Sequence, residues 1–206
     1  MVEEMHRQDL EKEGYSLQAV LYHSDLPNFI KPYFFKWNFT MIFYRLFFIL
    51  LLIYIIYALR QTDAFGHYLF HVLIGIVLFV FIIPVHELIH GIAYRLFGAK
   101  NVTYKAEWKK FIFYAMADGF ITKKIPFVVL AIAPFVLLNS ILILSLFLLP
   151  SSYYFVLLGL LLMHSAGCSG DFALVSYFQT FWEKDPITFD DVKMKVSYFY
   201  IKEDSK

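Results

Sequence analysis

Two histidines and a glutamate in the stretch His86-Glu87-Leu88-Ile89-His90 have the types and the spacing of a zinc site. Residues four apart lie on the same face of a helix, so both imidazoles can bind one Zn²⁺. Glu87 then faces the metal-bound water and can act as its general base. The motif predicts zinc-dependent hydrolysis of peptide bonds, with His86 and His90 as metal ligands and Glu87 as the catalytic residue.

The composition places this motif in a membrane protein. Hydrophobic residues make up 60% of the chain and charged residues only 17%, whereas a soluble domain typically carries about 25% charged residues. The net charge of +1 argues against a nucleic-acid partner, which would require a strongly basic face. The single cysteine, Cys168, excludes an internal disulfide and a multi-cysteine metal site. We therefore expect a lipid bilayer around the protein and no nucleic acid.

Four apolar segments are long enough to cross a bilayer core, which takes about 20 helical residues. They cover residues 39–59, 68–96, 125–149 and 153–178. No repeat or low-complexity linker divides the chain, so a single domain over residues 1–206 is expected. The predicted fold class is an all-α membrane protein of four transmembrane helices with a small cytoplasmic β-hairpin or sheet.

The loop between the second and third spans contains the predicted β-structure. Val102 to Trp108 and Phe111 to Ala115 are rich in β-branched and aromatic residues, with a corner at Lys109-Lys110. The alternating segment at 193–200 could add another strand. The hairpin edge could pair with an extended substrate segment, or it could be a purely structural element on the membrane surface. Both interpretations remain open.

The distribution of basic residues predicts the topology. Fifteen of the 18 Lys and Arg residues lie in the two tails and in the 97–124 loop, whereas the other two connections hold only Arg60. Basic loops stay in the cytoplasm. We expect a multi-pass protein of the cell membrane with both termini cytoplasmic and the motif near the inner face. Residues 1–38 lack the pattern of a signal peptide, so the first apolar helix is expected to be retained.

Pro84 lies two residues before His86 in the second span. A proline inside a helix removes a backbone hydrogen bond and clashes with the preceding turn, so we expect a kink there that leaves the Val80 carbonyl without its usual partner. An ordinary transmembrane proline with no functional role is the alternative.

Asp171 is the candidate for the third zinc ligand. It follows a run of small residues in the fourth span, and a carboxylate in a membrane helix nearly always faces a partner inside the bundle. His86 and Asp171 each lie 18 residues from the outer start of their spans, or about 27 Å along each helix. Equal depth predicts that they meet. A structural hydrogen bond from Asp171 to a Ser or a backbone group is the alternative.

His164 precedes Asp171 by about two helical turns on roughly the same face. It could hydrogen-bond to a ligand, stabilise an oxyanion or replace a ligand, or it could simply bond to a neighbouring carbonyl. His67 and His71 lie near the outer end of the second span, and His6 and His23 lie in the polar tail. We expect none of these four to be catalytic.

Several segments between residues 84 and 172 resemble those of small bacterial membrane proteins grouped as zincin peptidases, which in turn are similar to site-2 proteases. The matching segments are His86 to Gly91, Tyr114-Ala115, Ala131 to Phe135 and Gly167 to Asp171. Site-2 proteases supply a third zinc ligand from a later transmembrane helix, so the resemblance implies that role for Asp171. Their aspartate follows an Asn-Pro-Pro-Leu context that this chain lacks, and His164 would take the place of that Asn.

Two other classes of protein share part of this pattern. Gly167-Cys168-Ser169-Gly170 matches the GxSG of rhomboid proteases, but no histidine follows His164 to serve as the base. A non-catalytic metal-binding membrane scaffold would need the three ligands but not Glu87. The sequence thus favours a zinc-dependent membrane endopeptidase that cleaves a membrane protein or peptide near the cytoplasmic face. It contains no indication of the oligomeric state.

Overall fold

Apolar helices form most of the chain, which is 67% helical. A computed structural model describes residues 2–107 and 112–203. The α-helices are α1 (Val2–Lys12), α2 (Leu26–Phe34), α3 (Phe39–Arg60), α4 (Phe65–Leu78), α5 (Ile83–Leu96), α6 (Lys124–Leu148), α7 (Tyr154–Gly167) and α8 (Ser169–Thr180). The strands are β1 (Tyr15–Tyr22), β2 (Val102–Glu107), β3 (Ile112–Ala117), β4 (Thr122–Lys123), β5 (Ile187–Asp191) and β6 (Val196–Lys202).

Three to four segments are long and apolar enough to cross a membrane. Three are the helix α3, the helix α6 and the segment Ser151–Thr180, which contains α7 and α8. The fourth is the pair α4 and α5, bent by 46° at the break between them. These segments coincide with the four spans expected from the sequence.

The β-structure is larger than the small hairpin expected from the sequence. β2 and β3 form the expected antiparallel hairpin, although Trp108, Lys109, Lys110 and Phe111 lie outside the described residues. The other sheet has four antiparallel strands in the order β1-β6-β5-β4. β6 is the strand expected in the C-terminal tail, but β1 was not expected, because its partner lies at the far end of the chain. The description as all-α is therefore corrected to mostly helical with small antiparallel sheets.

The bend in the second span lies upstream of Pro84. A short 3₁₀ turn at Phe79–Phe81 separates α4 from α5, and Pro84 lies in the first turn of α5. A backbone N–H in the first turn of a helix has no acceptor within the helix, so proline, which lacks this N–H, is tolerated there. The kink expected at Pro84 is thus a helix break before it. The break sets the direction of α5, which carries His86 and His90.

A glycine contact brings α7 close to the second span. A Cβ on Gly75 of α4 would lie 2.0 Å from the Val156 carbonyl oxygen and 3.0 Å from the Cα of Gly159 on α7. Only glycine permits this approach, as is common between helices in membranes. α7 thereby runs beside α4 and reaches α5 at its last turn, where His164 lies.

The four-stranded sheet lies at the same end of the helices as the motif. It joins both tails, and its edge strand β4 runs directly into α6. Aromatic rings connect it to the bundle: Phe127 of α6 stacks on Phe178 of α8 at 3.9 Å between ring centroids, and Phe199 of β6 packs against Tyr177 at 4.9 Å. The sheet therefore covers the end of the bundle at which α5 and α8 meet.

Candidate metal centre

The ring nitrogens of His86 and His90 converge on the Asp171 carboxylate. Both histidines are buried on one face of α5, with their Nε2 atoms 3.0 Å apart. Asp171, in the first turn of α8, places Oδ2 at 3.4 Å from His86 Nε2 and Oδ1 at 3.5 Å from His90 Nε2. The pairing expected from equal depth is thus observed as proximity between α5 and α8.

This spacing of donor atoms fits a zinc ion. Ligands at about 2.0–2.1 Å from a tetrahedral zinc lie about 3.3 Å from one another, close to the 3.0–3.5 Å between these atoms. Two neutral imidazole nitrogens cannot both accept from each other, so a proton or a cation must lie among them and the carboxylate. Two nitrogens and one oxygen are a donor set that zinc prefers.

The remaining ring nitrogens of the two histidines also have partners. His90 Nδ1 lies 2.9 Å from the Leu130 carbonyl oxygen, which can only accept, so this nitrogen carries the proton. His86 Nδ1 lies 3.2 Å from His164 Nε2. Such outer partners fix the orientation of metal-binding imidazoles. His90 Nε2 therefore has a lone pair that faces Asp171. His86 Nε2 has one as well when His86 carries its proton on Nδ1.

Glu87 contributes a carboxylate oxygen that the fold does not satisfy. Its Oε2 atom is buried and has no hydrogen-bond partner among residues 2–107 and 112–203. The backbone of Ala115 on β3 hydrogen-bonds to the carboxylate, and a Glu87 oxygen lies within 4.8 Å of the ligand nitrogens of both histidines. A buried acceptor without a donor is costly, so this atom has the character of a group that takes part in chemistry.

A second set of possible ligands lies deeper in the bundle. His164 and Cys168 are both fully buried, with Sγ at 3.7 Å from His164 Nε2. Their ligand atoms and a nitrogen of His86 lie within 4.8 Å of one another. His86 therefore stands between two candidate sets, one containing Asp171 and the other containing a thiol.

The first set opens into a cavity of about 410 Å³ between the helices and the sheets. α2 contributes Leu26, Pro27 and Ile30 to its wall, and β3 contributes Phe113 to Met116. The remaining walls come from α5, α6, α8, the last residue of α7, the four-stranded sheet and the turn that follows β1. A peptide that entered this cavity would reach Glu87 alongside β3.

A second buried polar cluster lines the same cavity. His23 Nε2 lies 3.0 Å from Ser197 Oγ, Ser197 donates to Asp190 Oδ1 at 2.6 Å, and Tyr94 donates to Asp190 Oδ2 at 3.4 Å. Burial raises the pKa of Asp190 to about 6, although the hydrogen bond from Ser197 opposes this shift. The cluster joins α5 to β5, to β6 and to the turn that follows β1.

Sequence reasoning missed this cluster. We expected no catalytic role for His23; the structure places it in the cavity wall, with its ring 4.9 Å from that of Tyr114. No local pattern indicates it, because its contact with Ser197 depends on the pairing of β1 with β6. The other three histidines lie elsewhere: His6 contacts Gly119, while His67 and His71 contact each other on α4.

A family model described as "putative zincin peptidase" matches residues 79–183. The matched segment begins at the break before α5 and ends after α8, so it contains His86, Glu87, His90, His164 and Asp171. No curated protein and no solved structure matches the chain. With half of its length matched, including every residue of the candidate metal centre, the chain belongs to the family of putative zincin peptidases.

Proposed function

We propose that this protein is a zinc-dependent endopeptidase embedded in the membrane, with His86, His90 and Asp171 as the metal ligands. One observation carries the proposal: the three ligand side chains converge within 3.5 Å, and beside them Glu87 Oε2 has no partner among the described residues. The ligands account for metal binding, and Glu87 accounts for catalysis.

The chemistry divides between the ion and the chain. Zinc, when bound, would supply Lewis-acid polarisation of the scissile carbonyl and lower the pKa of a water molecule. Glu87 accepts the proton of the attacking water at Oε2 and later donates it to the leaving amine. Asp171 and the two histidines remain fixed, because α5 and α8 hold them and the Leu130 carbonyl orients His90.

The orientation in the membrane follows from the placement of the basic tails. Both tails meet in one sheet at the end of the bundle that carries the motif, and basic segments stay cytoplasmic. We infer that both termini and the cavity face the cytoplasm of a bacterial cell, and that the substrate is a membrane protein or peptide cleaved near that face.

Cysteine labelling tests this orientation. Exposed Lys105 and exposed Gln61 are each replaced by cysteine in a Cys168→Ala background. An impermeant thiol reagent added to intact cells should label the cysteine at position 61 and not the one at position 105. Labelling at position 105 from outside would invert the proposed topology.

Zinc content and cleavage, measured on the same samples, test the proposed activity. The purified protein should contain one zinc per chain and cleave a peptide library, whereas Glu87→Gln should contain the same zinc and cleave the library at least about 100-fold more slowly. Cleavage by Glu87→Gln at the wild-type rate would contradict the assigned mechanism.

A non-catalytic metal-binding scaffold is the second candidate function. It would use His86, His90 and Asp171 in the same way, so zinc content alone does not separate the two. The buried Glu87 Oε2 favours catalysis, because a scaffold gains nothing from an acceptor that lacks a donor. Zinc binding by a wild-type protein that cleaves no peptide would favour the scaffold.

A further inference from the structure

A chain of buried hydrogen bonds runs from His86 into two other helices. His86 Nδ1 lies 3.2 Å from His164 Nε2 on α7, and His164 Nδ1 lies 2.7 Å from Asn139 Oδ1 on α6. Asn139 Nδ2 donates to Ser165 Oγ at 3.1 Å, and Ser165 donates to the Leu161 carbonyl oxygen at 2.7 Å. His164, Asn139 and Ser165 are at most 3% exposed. The hydrogen bonds among these three side chains are therefore shielded from water.

The acceptor at the end of this series of hydrogen bonds determines the direction of every bond in the series. The Leu161 carbonyl can only accept, so the Ser165 hydroxyl donates to it and its lone pairs accept from the Asn139 amide. The amide oxygen of Asn139 then faces His164, so His164 Nδ1 carries a proton and its Nε2 has the lone pair. That lone pair accepts from Nδ1–H of His86.

We propose that His164 is a positioning residue that holds His86 in the Nδ1-protonated tautomer with its Nε2 atom directed at the metal. Asn139 and Ser165 in turn hold His164. This inference rests on the proposed function, because it assigns the metal to the set that contains Asp171. It selects one of the roles that the sequence left open for His164.

The charge of the centre explains a neutral residue at this position. Metal-binding histidines commonly donate to a carboxylate. Zn²⁺ together with the Glu87 and Asp171 carboxylates already has no net charge, so a further carboxylate in place of His164 would leave an unbalanced negative charge among apolar helices. The chain His86–His164–Asn139–Ser165 orients the ligand and adds no charge.

The same bond directions exclude Cys168 as a ligand. Binding of a metal by the set His86, His164 and Cys168 would need the Nε2 lone pair of His164, which already accepts from His86. Cys168 therefore lies beside the chain, 3.7 Å from that nitrogen, without holding the ion.

Zinc affinity in three variants tests the proposal, with competition against a chelator as the readout. His164→Leu removes the acceptor and should weaken zinc binding by about 10- to 100-fold, the usual effect of losing such a partner. His164→Gln restores an acceptor oxygen and should recover most of that loss in zinc affinity. A loss caused only by altered packing at position 164 would not be recovered by Gln. Cys168→Ala should bind zinc as the wild type does.

Two results of that experiment would overturn the proposal. Wild-type affinity in His164→Leu would show that His164 positions nothing, and loss of zinc in Cys168→Ala would place the ion in the thiol set. Thermal unfolding of each variant in detergent without zinc identifies a variant that does not fold.

The tautomer of His86 gives a second readout that needs no variant of the chain and no zinc. Nitrogen NMR of ¹⁵N-histidine-labelled, metal-free protein should show His86 protonated at Nδ1 and His164 protonated at Nδ1. The opposite tautomer at either ring would refute the chain of bonds even if the protein binds zinc. Failure of the wild type to bind zinc, with these tautomers observed, would instead refute the proposed function alone.

Discussion

Two buried polar clusters line one cavity, and they differ in whether the protein supplies a hydrogen-bond donor to each of their carboxylate oxygens. In the Asp190 cluster, the carboxylate receives hydroxyl donors from Ser197 and Tyr94 on its two oxygens. In the metal centre, two imidazole nitrogens and a carboxylate face one another, and Glu87 Oε2 has no donor within the described part of the chain.

This difference is the one expected between a site that binds a ligand, as we propose for the metal centre, and a polar contact that stabilises the fold. Buried polar groups are normally paired within the protein, so a set of converging acceptors indicates something that the chain does not itself supply. The Asp190 cluster joins α5 to the sheet, and hydroxyl groups of the protein donate to both oxygens of its carboxylate. The two clusters should therefore respond differently to substitution.

The largest difference is expected from histidine substitutions. His86→Ala and His90→Ala should each abolish stoichiometric zinc binding, because each removes one of three protein ligands. His23→Ala, in the Asp190 cluster, should keep full zinc content. Elemental analysis of the three purified variants measures this, and loss of zinc in a folded His23→Ala would show that the clusters form a single site.

Asp171→Ala and Glu87→Gln should fail in different ways. Asp171→Ala should weaken zinc binding strongly. Glu87→Gln should leave the affinity unchanged and lower the cleavage rate by about 10²- to 10⁴-fold, the usual contribution of a general base. Zinc titration and cleavage of one peptide, measured on both variants, separate the roles. Equal zinc affinity in Asp171→Ala and the wild type would remove Asp171 from the ligand set.

The Asp190 cluster should instead affect the pH dependence of stability. Burial raises the pKa of Asp190 from 3.8 to about 6, so the folded protein binds this proton more tightly than the unfolded chain does. The associated stability is present below about pH 4 and is lost as the pH rises through about 6, a change of roughly 3 kcal/mol. Asp190→Asn should remove this change.

Unfolding in detergent at pH 4 and pH 7 tests that prediction. The wild type should lose stability over this interval relative to Asp190→Asn, and the exposed Asp63→Asn is the control that should behave as the wild type. An identical pH dependence in the wild type and Asp190→Asn would refute the raised pKa.

The smallest effect is expected from Tyr94→Phe. The bond from Tyr94 to Asp190 is long, at 3.4 Å, so its loss should cost about 1 kcal/mol or less. Tyr94 follows His90 by one turn of α5, yet its removal should leave zinc affinity unchanged. A large drop in affinity would show that the two clusters are coupled through α5.

The metal centre was more predictable from the sequence than the cluster beside it. The spacing of His86, Glu87 and His90 places them together on any helix. Asp171 could be paired with them because two spans that start at the same face reach the same depth after the same number of residues. Both inferences need only helical geometry and the direction of each span.

The Asp190 cluster depends instead on long-range pairing. His23 meets Ser197 only because β1 pairs with β6, at the opposite end of the chain, and no local periodicity encodes which tail strands meet. The helix break was also only partly predictable from the sequence. Pro84 indicated an interruption, but its exact effect depended on whether it began a helix or bent one.

Zinc K-edge X-ray absorption on the purified protein tests the central assignment most directly, because it counts the ligand atoms around the ion. We predict scattering from two imidazole rings and one or two oxygens at about 2.0–2.2 Å, and no sulfur. A shell at about 2.3 Å, the length of a zinc–thiolate bond, would place the ion with Cys168 and contradict the assignment of His86, His90 and Asp171.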